Sequence, residues 1–172
     1  GPAGATAGDV KKEKLVNVQI LAFNDFHGNL EPPTGGSGVI RTSNSPITSV
    51  LAGGAEYLST HLRQLEADNP LNTVTVSAGD LIGASPLLSA LFHDEPTIEA
   101  MNLMGLDVAG VGNHEFDEGS AELSRMQFGG CHPVDGCQDG TPFYGSIFQY
   151  LAANVIDTSL DNPLLPEYEI VK

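Results

Sequence analysis

Residues 73–85 read Thr-Val-Thr-Val-Ser-Ala-Gly-Asp-Leu-Ile-Gly-Ala-Ser, a strand-forming run that passes directly into an acidic turn. The β-branched residues at its start favour a strand, and the glycines on either side of Asp80 favour a turn. Before this strand, apolar residues recur every three or four positions from Gly54 until Asn69 and Pro70 interrupt them, which predicts an amphipathic helix. A helix followed by a strand with a polar end is typical of α/β folds.

The same alternation of strands and helices continues on both sides of this unit. Residues 16–23 predict a strand covered on both faces, because nearly every position after Gln19 is apolar. The remaining predicted elements are strands over 107–111, 150–155 and 168–172 and helices over 96–105 and 121–127. Residues 31–52, rich in Pro, Gly, Ser and Thr, predict a long surface loop. Together these elements predict an α/β layered fold with a mainly parallel sheet.

The composition argues against some classes of partner. The 172 residues include 22 Asp and Glu against 7 Lys and Arg, a net charge of -15, which disfavours binding of nucleic acid through a basic face. No apolar run approaches the roughly 20 residues that span a bilayer, so membrane insertion is not expected. An acidic protein that acts on phosphates needs local positive charge, which bound metal ions can supply. Acidity can equally serve only to keep an extracellular protein in solution.

Two cysteines, Cys131 and Cys137, stand close together in a loop rich in glycine. Their spacing favours a disulfide over two free thiols, and over a metal site of Cys131, His132 and Cys137, which has too few ligands of its own. A disulfide is typical of secreted, periplasmic or cell-surface proteins. Residues 1–14 are expected to be a flexible tail or a cloning remnant, and residues 15–172 to form the folded part of the chain.

Polar clusters stand at the ends of three of the first four predicted strands. Their members are Asp25 and His27, then Asp80, then Asn113, His114 and Asp117. In open α/β sheets the carboxyl ends of the strands converge on one crevice, so these side chains are expected to meet. Asp25 and His27 are two positions apart and should point the same way from an extended segment. A carboxylate and an imidazole on one side form half of a mixed oxygen and nitrogen metal site.

Each of these residues also has an ordinary structural explanation. Asp25 or Asp80 could cap a turn, and Asn113 could hold a left-handed turn. His61 lies on the first predicted helix and His93 precedes the second, so both are interpreted as surface or capping residues. The joint arrangement favours function, because chance seldom places so many polar residues at successive strand ends.

Three strings in this order resemble the first motifs of the calcineurin-like metallophosphoesterases: Asp25-Phe-His27, Gly79-Asp-Leu-Ile-Gly-Ala-Ser-Pro86 and Gly112-Asn-His-Glu-Phe-Asp117. The last string, with Leu151-Ala-Ala-Asn-Val155, resembles the 5′-nucleotidase branch of that family. The resemblance covers about residues 16–155 and implies a layered α/β metallophosphoesterase sandwich that is incomplete in this chain. The family's later histidine ligands, including a Gly-His-x-His motif, and its separate base-stacking domain have no counterpart here. The chain is therefore expected to be the N-terminal part of a longer protein.

The resemblance implies a site for two divalent metal ions. The implied ligands are Asp25, His27, Asp80 and Asn113. Asp80 would bridge both ions. Asp25 and His27 would bind one ion, and the amide of Asn113 would bind the other. Zn, Mn, Fe, Co and Mg all accept such ligands, so the identity of the metal stays open.

The resemblance also implies a reaction. His114 would be the catalytic imidazole with Asp117 orienting it, and Asn113 and His114 would contact the substrate. The leading activity is hydrolysis of nucleoside 5′-monophosphates by in-line attack on phosphorus. Cyclic-nucleotide phosphodiesterase and nucleotide-sugar hydrolase activities are the alternatives within this chemistry, and a non-catalytic surface binding module is the alternative of another class. The chain by itself is expected to be inactive and to self-associate through uncovered surfaces.

Overall fold

The computed structural model describes residues 15–171, so the expected tail of residues 1–14 lies outside the described residues, as does Lys172. The strands are, in chain order, β1 (Gln19–Phe23), β2 (Val39–Asn44), β3 (Ile47–Leu51), β4 (Thr73–Ser77), β5 (Val108–Gly110), β6 (Gln149–Leu151), β7 (Ile156–Asp157) and β8 (Asn162–Pro163). Four of them form a parallel sheet in the order β1, β4, β5, β6. The other four form two antiparallel hairpins, β2 with β3 and β7 with β8.

The helices connect the strands of the parallel sheet. They are α1 (Ala55–Glu66), α2 (Leu87–Ala90), α3 (Glu95–Met104) and α4 (Ser120–Phe128). As the sequence predicts, α3 has Pro96 in its first turn and ends at Gly105, which adopts a left-handed conformation with a φ of 77°. The longest of these helices has 12 residues. In the described part of the chain, no helix has the length and apolar character needed to cross a membrane.

One face of the parallel sheet packs against the helices. Burial alternates along β1, where Leu21 is buried while Ile20 is 66% exposed. The buried face continues through the paired residues Ala109 and Tyr150 of β5 and β6. Against it lie fully or almost fully buried side chains of α3 and α4, which are Ile98, Met101, Leu123 and Met126. The chain is therefore an α/β structure with helices on one face of a parallel sheet, which is part of a layered sandwich.

Several predicted elements differ from the structure. The strand predicted over 16–23 begins at Gln19 and lies at the edge of the sheet. It is not covered on both faces, because Ile20 is 66% exposed while Leu21 is buried. The loop predicted over 31–52 contains the β2–β3 hairpin. The strand predicted over 150–155 ends at Leu151. In the strand predicted over 168–172, the described residues 168–171 form no strand.

Candidate functional site

The loops that follow β1, β4 and β5 meet at one edge of the sheet, because these strands are neighbours. Backbone hydrogen bonds join the first two loops: the amide of Asp25 donates to the carbonyl of Gly79 at 3.1 Å, and that of His27 to the carbonyl of Asp80 at 3.0 Å. The third loop binds the second through the amide of His114, which donates to Oδ1 of Asp80 at 3.0 Å. Asp80 therefore lies at the centre of the predicted site.

Three of the predicted metal ligands have strained backbones. Asp25, His27 and Asp80 have φ angles of 54°, 45° and 53°, in the left-handed region that costs non-glycine residues on the order of 1–3 kcal/mol each. The expectation that Asp25 and His27 project from an extended segment is therefore wrong, because β1 ends at Phe23. Their side chains still meet, with Nε2 of His27 at 3.8 Å from Oδ1 of Asp25. Such strain concentrates at functional sites.

His27, Asp80 and His114 bring potential ligand atoms within 4.8 Å of one another. Nδ1 of His27 lies 2.9 Å from the carbonyl of Gly83. Because a carbonyl only accepts, Nδ1 carries the proton, and Nε2 presents its lone pair to the site. The rings of His27 and His114 meet edge-on with their centroids 4.8 Å apart. A hydrogen bond that fixes the tautomer is usual for histidines that bind metals.

His114 and Asp117 form the predicted pair. Nδ1 of His114 lies 2.7 Å from Oδ2 of Asp117. This hydrogen bond raises the pKa of His114 above its ordinary value, and the negative charges of Asp117 and Asp80 act in the same direction. The pair therefore favours a protonated imidazole. Because Nδ1 faces Asp117, Nε2 points away from it.

Glu115 is a residue whose role the sequence did not indicate. Its side chain is buried and accepts hydrogen bonds from the backbone amides of Asp80 at 2.9 Å, Leu81 at 2.8 Å and Gly112 at 2.6 Å. Burial raises the pKa of Glu115, while these three hydrogen bonds act in the opposite direction. One carboxylate thus ties the loop after β4 to the loop after β5. Its place inside the motif Gly112-Asn-His-Glu-Phe-Asp117 was the only signal available.

Glycine permits the close contact between these two loops. A Cβ atom on Gly112 would clash with the carboxylate of Asp80, and one on Gly79 would clash with the backbone of Gly112. Gly79 also has a φ of 107°, which other residues rarely adopt. Both positions therefore require glycine if Asp80 is to lie against the loop after β5.

The remaining predicted ligands lie on the outer side of the site. The side-chain amide of Asn24 donates to Oδ2 of Asp25. Asn113 is exposed directly before His114, and its carbonyl accepts the amide of Phe116 at 3.1 Å. A groove of about 910 Å³ adjoins Asp25, with walls formed by β1, the β2–β3 hairpin and α1. A groove of small-molecule size therefore adjoins the site at Asp25.

The predictions outside the strand ends had mixed outcomes. The structure joins Cys131 to Cys137 in a disulfide, as predicted. His61 is exposed, as predicted. Asp94, and not His93, is the N-cap of α3, and the side chain of His93 is 17% exposed. His93 therefore does not cap α3, and its side chain is partly buried.

Comparisons with known proteins identify relatives of the chain. An uncharacterized protein in the pqq-V 5′ region of Acinetobacter calcoaceticus is 48% identical over 163 residues, which are 89% of this chain and 77% of that protein. Endonuclease YhcR of Bacillus subtilis is 37% identical over 98% of this chain and 13% of its own length. The 5′-nucleotidase of Rattus norvegicus is 31% identical over 62% of this chain and 17% of its own length. No family model matches the chain.

Solved structures agree with these relatives. The NAD nucleotidase NadN of Haemophilus influenzae matches with a TM-score of 0.66 and 27% identity over 90% of this chain and 24% of NadN. A 5′-nucleotidase precursor from Thermus thermophilus shares the fold with a TM-score of 0.61. The chain thus spans about a quarter or less of the length of its nucleotidase relatives. The α/β fold, the ordered motifs and these relatives together show that the chain belongs to the 5′-nucleotidase family of metallophosphoesterases.

Proposed function

We propose that this chain supplies part of the active site for metal-dependent hydrolysis of nucleoside 5′-monophosphates. Its family consists of phosphoester hydrolases, and the choice of this substrate is our inference. The observation that carries the proposal is the convergence of His27, Asp80 and His114, with Asp117 hydrogen-bonded to His114 at 2.7 Å. A protein that only needed to fold would not require strained backbones at His27 and Asp80 beside the hydrogen-bonded pair of His114 and Asp117.

The donor set of the site fits divalent metal ions. Carboxylate and imidazole ligands lie close together, and the carbonyl of Gly83 fixes His27 in the tautomer that leaves Nε2 free. We infer that Asp25, His27 and Asp80 hold one ion and that Asp80 and Asn113 hold a second. When bound, such ions would neutralise phosphoryl oxygens and lower the pKa of a water molecule. Their identity is open among Zn, Mn, Fe, Co and Mg.

The residues of the chain itself would bind the phosphate and move a proton. Asp117 holds Nδ1 of His114, so Nε2 is the atom that can reach a substrate. A protonated His114 would donate a hydrogen bond to a phosphoryl oxygen, or its proton to the leaving oxygen of the nucleoside. The amide of Asn113, exposed beside it, would hold the phosphate in place.

A second candidate within the same chemistry is hydrolysis of phosphodiesters. The name of the Bacillus subtilis relative, an endonuclease, favours this candidate. The net charge of -15 argues against a long polynucleotide as the substrate. A small cyclic nucleotide remains compatible with both observations. A nucleotide sugar and a non-catalytic binding role are weaker alternatives, because no contact in the site favours either of them.

The disulfide loop, away from the site, supports a proposal for the compartment. A disulfide between Cys131 and Cys137 persists in oxidising surroundings. We therefore propose a secreted, periplasmic or cell-surface location, in which extracellular nucleotides would be the substrates.

The test is phosphate release from AMP with excess Mn²⁺ or Zn²⁺, measured for the 172-residue chain and for the longer protein that the resemblance predicts. The second ion would have only two protein ligands in this chain, so we expect the chain to be at least about 100-fold slower. Failure of the longer protein to hydrolyse AMP would reject the substrate proposal. Equal rates for the two proteins would reject the argument from missing ligands. Bis(p-nitrophenyl) phosphate, assayed in parallel, tests the phosphodiester candidate.

A further inference from the structure

Asp94 directly precedes α3, where an aspartate ordinarily caps its own helix by accepting an amide of the first turn. Its side chain makes no such capping bond. Instead, Oδ2 of Asp94 accepts the backbone amide of Gly83 at 3.1 Å, and Nδ1 of His27 lies 2.9 Å from the carbonyl of Gly83. We propose that Asp94 is a positioning residue that acts through Gly83 to hold His27 in the tautomer with Nε2 free. The inference rests on the metal site of the function proposed above.

Gly83 needs an external contact, because its own conformation does not fix its carbonyl. Gly83 and Ala84 have φ angles of 80° and 49°. Glycine adopts many backbone conformations at little cost, and strained backbones persist only where their surroundings hold them. A stiffer residue does not fit, since a Cβ atom on Gly83 would lie 2.6 Å from the carbonyl oxygen of His114. The hydrogen bond to Asp94 therefore supplies the constraint that the glycine lacks.

A buried network fixes the carboxylate of Asp94 in turn. Its Oδ1 accepts the hydroxyl of Ser89 at 2.6 Å, and the oxygen of Ser89 lies 2.6 Å from Oγ1 of Thr97. Because Ser89 has one proton and gives it to Asp94, Thr97 donates to Ser89. Ser89 and Thr97 are fully buried, and leaving buried polar groups without partners is costly. Both oxygens of Asp94 are therefore held, one by α2 and α3 and the other by the loop after β4.

The tautomer of His27 decides whether it can bind an ion. While the carbonyl of Gly83 accepts from Nδ1, the lone pair is on Nε2, the atom that faces the site. If that carbonyl turned away, the Nδ1–H form would lose its support and the proton would move to Nε2 in part of the molecules. A protonated nitrogen has no lone pair to give to a metal. Asp94 therefore favours metal binding without touching the ion.

The test measures the tautomer of His27 in the metal-free 172-residue chain by long-range ¹H–¹⁵N NMR at about pH 9, where imidazoles are neutral. The wild-type chain should carry the proton on Nδ1. Asp94→Gly removes the acceptor and suits the left-handed backbone, whose φ is 59°, so the share of the Nε2–H form should rise. The matched control, Asp161→Gly, makes the same change at another left-handed, exposed aspartate and should keep the wild-type tautomer.

A conservative variant distinguishes positioning from a general effect on the fold. Asp94→Asn keeps an oxygen that can accept from Gly83, while Ser89 can donate to Thr97 instead, so the Nδ1–H tautomer should return. In calorimetry, Asp94→Gly should bind Mn²⁺ about tenfold more weakly than the wild type, and Asp94→Asn about as tightly. The tautomer is read without metal or substrate. Absence of Mn²⁺ binding or of AMP hydrolysis would therefore reject the proposed function and leave the NMR result unchanged.

An Nε2–H tautomer in the wild-type chain, or an unchanged Nδ1–H tautomer in folded Asp94→Gly, would overturn the proposal. If circular dichroism shows that Asp94→Gly is unfolded, Ser89→Ala provides the answer. This variant keeps the bond between Asp94 and Gly83 but releases Oδ1 of the carboxylate. It should raise the share of the Nε2–H form by a smaller amount, and an unchanged tautomer would then overturn the role of Asp94.

Discussion

Asp80 and His114 are in contact through a backbone amide, but their side chains have different proposed roles. Asp80→Ala in the longer protein should lose both catalytic ions, because this carboxylate is the proposed bridge. His114→Ala keeps the amide that binds Asp80. It should retain the metal content and lower kcat about 10²–10⁴-fold with little change in KM. Metal analysis by mass spectrometry and steady-state kinetics measure both effects. Loss of metal from His114→Ala would instead make His114 a ligand.

At the scale of single residues, a second prediction concerns the pKa of His114. Asp117→Asn removes the acceptor charge that raises this pKa, so the pKa should fall toward the ordinary imidazole value. The raised pKa also means that the contact stabilises the fold below the ordinary imidazole pKa, and that this contribution is lost as the pH rises through the folded-state value. NMR titration of the metal-free protein measures the shift. Asp68→Asn, at an exposed carboxylate elsewhere, is the control and should leave the pKa of His114 unchanged.

At the scale of elements, Glu115 joins the loops after β4 and β5. Glu115→Gln replaces one acceptor oxygen by an NH₂ group, so at least one buried backbone amide loses its partner. We expect a loss of about 1–3 kcal/mol in the free energy of unfolding, measured by urea denaturation. Glu99→Gln, at an exposed glutamate on α3, should cost far less. Equal stabilities of the two variants would show that the carboxylate of Glu115 does not tie the loops together.

The same two loops depend on a glycine. Gly112→Ala places a methyl group against the carboxylate of Asp80 and should displace it. The expected result is weaker binding of the catalytic ions by about tenfold or more, since displaced ligands lose their geometry. Gly36→Ala, where a Cβ atom would meet no neighbour within 4 Å, is the matched control. Calorimetry with Mn²⁺ that showed normal binding by Gly112→Ala would contradict the steric argument.

Three of the four helices, α1, α3 and α4, could be predicted from the sequence because their signals are local, whereas the short α2 was not predicted. The apolar spacing from Gly54 and the Pro96 and Gly105 boundaries predicted α1 and α3 to within a residue or two. The strands were harder, because an apolar run does not reveal whether a strand lies at a sheet edge, as β1 does. The β2–β3 hairpin was missed because Pro, Gly, Ser and Thr dominate residues 31–52. Its apolar residues, such as Ile40 and Val50, are exposed and do not form part of the core.

The residues of the candidate site likewise include some that the sequence predicted and some that it did not. The positions of Asp80, His114 and Asp117 could be predicted because they follow strands that the sequence marks clearly. The contacts of Glu115 and His93 could not be predicted, because their partners come from other loops that only the folded chain brings close. The left-handed backbones of Asp25 and His27 were missed because neither residue type demands that conformation.

At the scale of the whole molecule, the second face of the parallel sheet is weakly covered among the described residues. Val18 and Ile20 are 63% and 66% exposed, and an apolar surface of this kind favours association. We expect the chain to form dimers or larger species, and more strongly at high salt, which screens the net charge of -15. Light scattering after gel filtration measures this.

A pair of variants distinguishes association through the sheet face from nonspecific association of exposed apolar residues. Ile20→Lys should return the chain toward the monomer. Leu71→Lys changes an equally apolar residue that is 91% exposed in the turn before β4, outside the strands of the sheet, and should not. A monomeric wild-type chain at high salt would exclude this surface as an interface.

The left-handed backbones of Asp25, His27 and Asp80 have a consequence for how this gene changes over time. Glycine would adopt these conformations with little strain, so each of the three residues is retained against a small gain in stability. In gene copies released from selection for catalysis, glycine should become acceptable at these positions, and soonest at Asp25 and Asp80, where one base change is enough. A descendant sequence that keeps Asp, His and Asp there therefore records continued selection for ligand binding, independently of selection for the fold.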